Sequence, residues 1–398
     1  MDSRGNSFVK GCLAVLGLAF VVLYFVQRFP QMQKGMDFAD FYAAARIVRD
    51  GRGAQLYDPA VQDIYLARYA GRTGTQFIHP PFEALLFVPL SYVSLTTAYG
   101  IWCAINAVLL SIALILLSRQ VRLPVSWQLL VLVCLAFVPV LLNFMQGQDA
   151  ILLSFFFVLA YRAAARGHEF TSGTLLACGL IKFHLAIPLF IPVAIVYSRR
   201  LVAGFTAVAL TLLVFSAMVC GWAGLISYPQ FLAQLPGIPL SGAHLEAMAN
   251  LRGLLAWGLP SRTTASFWII LLTSIAVLGL TIHAAVLARR SGSRNMLWSM
   301  AVLSAALVSY HLSPHDLTIL LLPVCFIVEH LKLRSDVPRP NRWLAITLVV
   351  ALLLPPLHLI LLASHDYAPI GILVLLLFLF TYAEAWRCSK TGLPRRAA

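Results

Sequence analysis

The chain has 398 residues, 60% hydrophobic and only 11% charged, with 29 lysines and arginines against 15 acids. A soluble domain carries about 25% charged residues, so a water-soluble enzyme is excluded, and apolar runs along the whole length point to one polytopic helical membrane domain, 1–398. The net charge of +14 does not indicate nucleic acid, because the basic residues sit in short clusters between apolar runs, which is a topology signal.

Residues 11–26 follow Arg4 and Lys10 as a signal peptide would, but no small-residue cleavage site comes before Pro30, so about 8–26 reads as a first span. The stretch GMDFADFYAAARIVRDGRGAQLYDP, 35–59, follows it. Phe38, Phe41, Tyr42 and Ala45 at helical spacing predict a helix over 38–50, and Asp58 with Pro59 starts a second. Helices of this kind lie in the interface, within an external loop of 27–97. Asp37 and Asp40 admit two readings: a capping arrangement, or a pair of acids on one helix face able to supply a base, with Arg46 and Arg49 further on for a phosphate.

FIHPPFEALLFVPL, 77–90, is too short and too rich in proline for a crossing and reads as interfacial or re-entrant; His79 and Glu83 are either functional or part of a helix start. Spans follow at about 98–117, 125–144, 149–165, 201–221, 263–288, 296–311, 316–331, 343–363 and 369–386, making ten crossings with the first. Between two of them, QGQD at 146–149 reads as a turn at Gly147 with Asp149 capping the next helix, and Gln148 open to a binding role.

Residues 173–197 are apolar but broken by IKFH and Pro188, with arginines at both ends (162, 166, 199, 200), which predicts a segment that enters and returns. Lys182 lies within it, at an insertion cost of about 2.5–3.5 kcal/mol unless it reaches water or an anion. It is either a substrate cation or a snorkelling side chain, and replacement by Met is expected to keep insertion and folding. In 222–262, Arg252 is a candidate phosphate ligand. His311, His315 and Asp316 in SYHLSPHDL fit a helix start after Pro314 better than a metal site, and the seven cysteines show no ligand spacing, so no metal is expected.

With the returning segment, the charge alternation is self-consistent: 19 of the 29 basic residues fall on the cytoplasmic side, both termini included, and ten of the 15 acids on the other. One face reads as scaffolding and the other as a site.

In order, DFADFYAAARIV with LYDP, HPPFEALLFVPL before AYGIW, GQDAILL, GTLLACGLIKFHLAIPLFIPV and LSPHDLTILLLPV make the chain resemble glycosyltransferase family 87, the C-type, polyprenyl-phosphate-mannose-dependent mannosyltransferases and their relatives. Two positions depart from that pattern: His79 stands where an aromatic usually precedes the paired prolines, and Phe183 where a proline commonly follows the lysine. The resemblance implies an all-α bundle of the C-type glycosyltransferase kind and inverting transfer of mannose or a similar sugar from a polyprenyl-phosphate donor to a glycan or lipid acceptor hydroxyl. That transfer takes place on the non-cytoplasmic side of the cytoplasmic membrane. Asp37 is then the base, with Asp40 as second candidate. Lys182 and Arg252, backed by Arg46, Arg49, His79, Gln148 and His315, bind substrate, and no cofactor is required. The rival is a multi-pass transporter or lipid flippase; no internal repeat and polar material on one face favour the enzyme.

Overall fold

The computed structural model describes residues 37–123, 126–234, 245–258, 264–291 and 293–390; the expected first span at 8–26 lies outside them. Regular structure among the described residues is helical, as it must be where lipid offers no hydrogen-bond partner to the backbone. Two cores organise it.

The first and smaller core is built by the loop that precedes the bundle. Helix α1, Phe38–Arg49, buries Phe38, Phe41, Tyr42, four alanines and Ile47. It packs with α2, Pro59–Ala70, and with short turns over 81–92. Phe41 stacks on Phe87 at 4.7 Å, and Phe87 meets Trp102 edge-on at 4.8 Å. The expectation of a helix lying in the lipid interface is therefore corrected for α1: it is buried almost all round, because its alanine-rich faces allow close packing by neighbouring segments. The expected start of α2 holds, with Asp58 accepting from the Ala60 amide at 3.0 Å and Pro59 in the first position. The 77–90 stretch forms short turns and does not cross.

The second core is the bundle: α3 Leu95–Gln120, α4 Trp127–Ala136, α5 Val138–Gln146, α6 Ala150–Ala165, α7 Glu169–Cys178, α8 Phe183–Val196, α9 Arg199–Gln234 with a break at Gly221, α10 Leu251–Gly258, α11 Thr264–Ser291, α12 Arg294–Val308, α13 Leu321–Leu333, α14 Arg339–Leu353, α15 Pro355–Ala363 and α16 Ile370–Lys390. By length and composition five segments could cross a membrane, or seven if the bent pairs α4/α5 (67°) and α14/α15 (54°) each count once. The chain is a multi-pass membrane protein, but the expected ten crossings are not established. Helices α6 and α12 are shorter than a full span, and α12 is buried along nearly its whole length inside the bundle.

One of those five, 169–196, does not run straight through. A straight helix of that length would separate its ends by about 40 Å, yet the Ser198 amide donates to Glu169 Oε2 at 3.0 Å, and the Ser198 hydroxyl bonds the same carboxylate. The segment is a hairpin: α7 descends, a 3-10 turn over Gly179–Lys182 reverses the chain, and α8 returns. Lys182, at φ −119° and ψ 69°, sits at its tip. Toward the open end, Gly173 allows α7 to lie against α9, since a Cβ on it would stand 1.9 Å from the Leu201 carbonyl oxygen.

Long-range bonds gather the basic loops at the hairpin's open end. The Arg122 amide and the Asn295 side chain both donate to Glu329, Arg294 donates to the Ala165 carbonyl, and Lys332 to the Leu123 carbonyl. The mixed loops meet at the opposite end: Asn250 Nδ2 donates to the Ser309 carbonyl, and the Tyr367 amide to the Glu246 carbonyl.

The hairpin yields a prediction. Single cysteines replacing Arg166 and Arg200, in a cysteine-free background, should label from the same side of sealed vesicles as one replacing Arg122. Labelling of position 200 from the opposite side would mean that 169–196 crosses fully.

Candidate functional site

The site forms where six separate stretches meet around one cavity: the start of α1, the 75–80 loop, the α5–α6 turn, the hairpin tip, the end of α9 at Leu232 and the stretch after α12. The α5–α6 turn is fixed first. Trp102 Nε1 donates to the Gly147 carbonyl at 3.0 Å, and the Tyr99 hydroxyl to the Phe144 carbonyl at 2.7 Å. Gly147 takes φ 67°, and a Cβ there would lie 2.5 Å from the Cβ of Phe38. Only glycine fits both demands, and the close approach sets Asp37 beside Gln148.

Gln148 Nε2 donates to Asp37 Oδ2 at 2.7 Å, and the Asp37 side chain makes no bond to the helix it precedes. The capping reading of Asp37 therefore fails. Asp40 is more tightly engaged, accepting from Arg72 at 3.1 Å and the Thr75 hydroxyl at 2.7 Å. Burial raises the pKa of both acids, Asp40 to about 6, against the opposing pull of Gln148 on Asp37 and of the Arg72 charge on Asp40.

Lys182 reaches the cavity and is fully neutralised there. Its Nζ lies 2.9 Å from Asp149 Oδ1 and 2.9 Å from Asp316 Oδ1, and all three residues are buried. Asp149 thus corrects its expected role as a cap. It makes no capping bond, and the Asn143 side chain accepts from the Ile151 amide at 3.2 Å instead. Asp316 does both jobs, since its Oδ2 also accepts from the Ser313 amide at 2.8 Å. The snorkelling reading of Lys182 fails, because the hairpin carries it to the end opposite the basic loops.

Four histidines line the cavity: His79, His184, His311 and His315. His79 packs on Phe41 at 4.6 Å, with its Nδ1 3.0 Å from Glu83 Oε2 and 3.9 Å from Asp149 Oδ2. Burial lowers the His79 pKa to about 4, so its imidazole is neutral. Burial, and then the Asp149 carboxylate, push Glu83 well above the usual range. His315 Nδ1 bonds Gln146 Oε1 at 2.7 Å.

Of the residues singled out in the sequence, Asp37, Asp40, His79, Gln148, Lys182 and His315 are thus brought together. Arg252 stands one layer behind, packed over the Tyr310 ring at 4.2 Å and bonded to the Tyr310 carbonyl, while Tyr310 itself lines the wall. Arg46 and Arg49 do not line the cavity. Both donate to the Ser91 carbonyl, at 2.8 and 2.7 Å, and tie α1 to the turn before α3. Sequence reasoning missed Arg72, Thr75 and His184 and misassigned Asp149; only the cost of burying Lys182 signalled that some anion had to face it.

The charge arrangement reverses the expectation that Lys182→Met keeps the fold. Removing the ammonium leaves two buried carboxylates without a counter-charge, at a cost of about 3–5 kcal/mol. Thermal melting of the purified protein should show a large drop for Lys182→Met, partly restored by adding Asp149→Asn. A melting temperature equal to that of the parent would refute the buried pairing.

In comparisons with known proteins, no curated protein matches the chain. The family model of glycosyltransferase family 87 matches residues 77–314, more than half its length, and takes in the 79–90 stretch, the α5–α6 turn, the hairpin and His311. The chain, a multi-pass membrane glycosyltransferase, belongs to glycosyltransferase family 87.

Proposed function

We propose that the protein transfers a sugar, mannose or a close relative, from a polyprenyl-phosphate donor to a glycan or lipid acceptor hydroxyl at the non-cytoplasmic face of the cytoplasmic membrane. The observation that carries the reading is Asp37. It is an acid on the cavity wall, outside the bundle helices, oriented by a neutral amide and raised in pKa by burial. A carboxylate whose pKa is raised in this way is a stronger proton acceptor than an ordinary one.

In the proposed step the acceptor oxygen attacks the anomeric carbon while its proton passes to Asp37. The carbon–oxygen bond to phosphate breaks on the opposite side, its electron pair leaving with the phosphate, and the anomeric configuration inverts. Asp40, held by Arg72 and Thr75, stands one helical turn behind as a positioning group. Lys182 and the histidine-lined wall face the departing phosphate in this reading. The basic loops bonded together at the far end support the sidedness, since basic segments face the cytoplasm.

The two acids are separated by substitution. Asp37→Asn should fold normally, because no helix cap is lost and the amide oxygen still accepts from Gln148. Transfer should nevertheless fall by roughly 10²- to 10⁴-fold. Asp40→Asn should lose less. Turnover and melting of both variants decide the matter, and near-normal turnover in Asp37→Asn would remove it as the base.

The raised pKa of Asp37 also sets a pH profile. A base works ionised, so the transfer rate should decline as pH falls, through an apparent pKa above the ordinary carboxylate range. A rate flat down to pH 4 would contradict the assignment. Donor identity is read by supplying the protein in lipid vesicles with radiolabelled polyprenyl-phosphate sugars and an acceptor extract. Release of sugar from the carrier is expected, whereas movement of intact donor across the bilayer without consumption would favour a flippase.

A further inference from the structure

Glu83, Asp149 and Asp316 contribute three fully buried carboxyl groups, and Lys182 brings one positive charge. These acids crowd around a single ammonium, which contacts Asp149 and Asp316 directly.

The geometry for a divalent cation is present. Nδ1 of His79, a carboxylate oxygen of Glu83 and one of Asp149 all lie within 4.8 Å of one another, with His79 Nδ1 at 3.0 Å from Glu83 Oε2 and 3.9 Å from Asp149 Oδ2. Zinc bonds of about 2.0–2.2 Å hold tetrahedral ligands about 3.3–3.6 Å apart, and the two His79 distances fall on either side of that spacing. Glu83 is fully buried and points toward both other members of the group, with its Oε2 3.0 Å from His79 Nδ1. Lys182 occupies Oδ1 of Asp149, while Oδ2 faces His79. Of the three residues, His79 lines the cavity.

We propose that His79, Glu83 and Asp149 bind one divalent transition-metal ion of the zinc class, with an exchangeable position facing the cavity. One imidazole with two carboxylates suits such an ion. The natural occupant of the exchangeable position is a phosphate oxygen of the donor, a role that rests on the proposed function; metal binding itself does not. The nitrogen ligand of the set is His79. A second cluster of ligating residues, His330, Glu384 and Cys388, lies at the opposite end. There both oxygens of Glu384 already accept from Arg387, at 2.7–3.2 Å.

The test uses the purified full-length protein, stripped with a chelator and titrated with cobalt(II) as a spectroscopic probe. One equivalent per chain should bind, with the visible absorption of a low-symmetry four- or five-coordinate ion that zinc then displaces. His79→Phe, which removes the imidazole, and Glu83→Gln should each weaken binding by more than about tenfold, while Glu384→Gln leaves it unchanged. Melting curves verify that each variant is folded. Absence of stoichiometric cobalt binding in the parent overturns the proposal, as does binding unaffected by His79→Phe and Glu83→Gln or abolished by Glu384→Gln. Because absorption and not transfer is read, failure of the donor assay would leave the metal result standing.

Discussion

The structure depends on one buried cation. Lys182 sits at the tip of a hairpin inserted between bundle helices, where an unpaired ammonium would be strongly disfavoured. Asp149, at the entry to α6, and Asp316, in the turn before α13, close on it from two sides at 2.9 Å each. Neither carboxylate would be stable there without the lysine, nor the lysine without them. Three segments far apart in sequence are thereby pinned at one point, and the wall of the cavity follows from that pin.

Around this point the two ends of the molecule divide their tasks. The hairpin's open end is closed by Glu169 with Ser198, near loops held together by Glu329 and Arg294, so that end is fastened by polar contacts among basic segments. At the other end the small aromatic core beneath α1 presents Asp37 and Asp40 to the cavity, while Arg46 and Arg49 lock the same helix to the Ser91 carbonyl. The arginines that looked like phosphate ligands are structural fasteners. The polar side chains that face the cavity are acids, histidines and amides together with Lys182, whose charge is already met by Asp149 and Asp316.

The two acids of α1 illustrate how environment separates like residues. They lie one turn apart, yet Asp40 is matched by a guanidinium and a hydroxyl, whereas Asp37 meets the side-chain amide of Gln148. Burial raises both pKa values, so what separates the two acids is engagement: Asp40 is tied down by two donors, one of them charged, whereas Asp37 is oriented by one neutral amide.

The sequence by itself determined the class of the protein, the helical register, the polar turn at Gly147, the cap at Asp58 and the returning segment at 173–197, because each rests on local pattern or on the charge flanking an apolar run. It also placed Asp37, Gln148 and His315 in loops sharing one face, while leaving open whether Lys182 reached them. The partners of Lys182 were decided only by tertiary structure. They lie 33 and 134 residues away along the chain, and an aspartate just before a helix looks locally the same whether it caps that helix or turns inward to a buried lysine. The fate of Arg46, Arg49 and Arg252 was hidden for the same reason: the carbonyl oxygens that hold them belong to other segments, and nothing in their own neighbourhood records which way a long cationic side chain will turn.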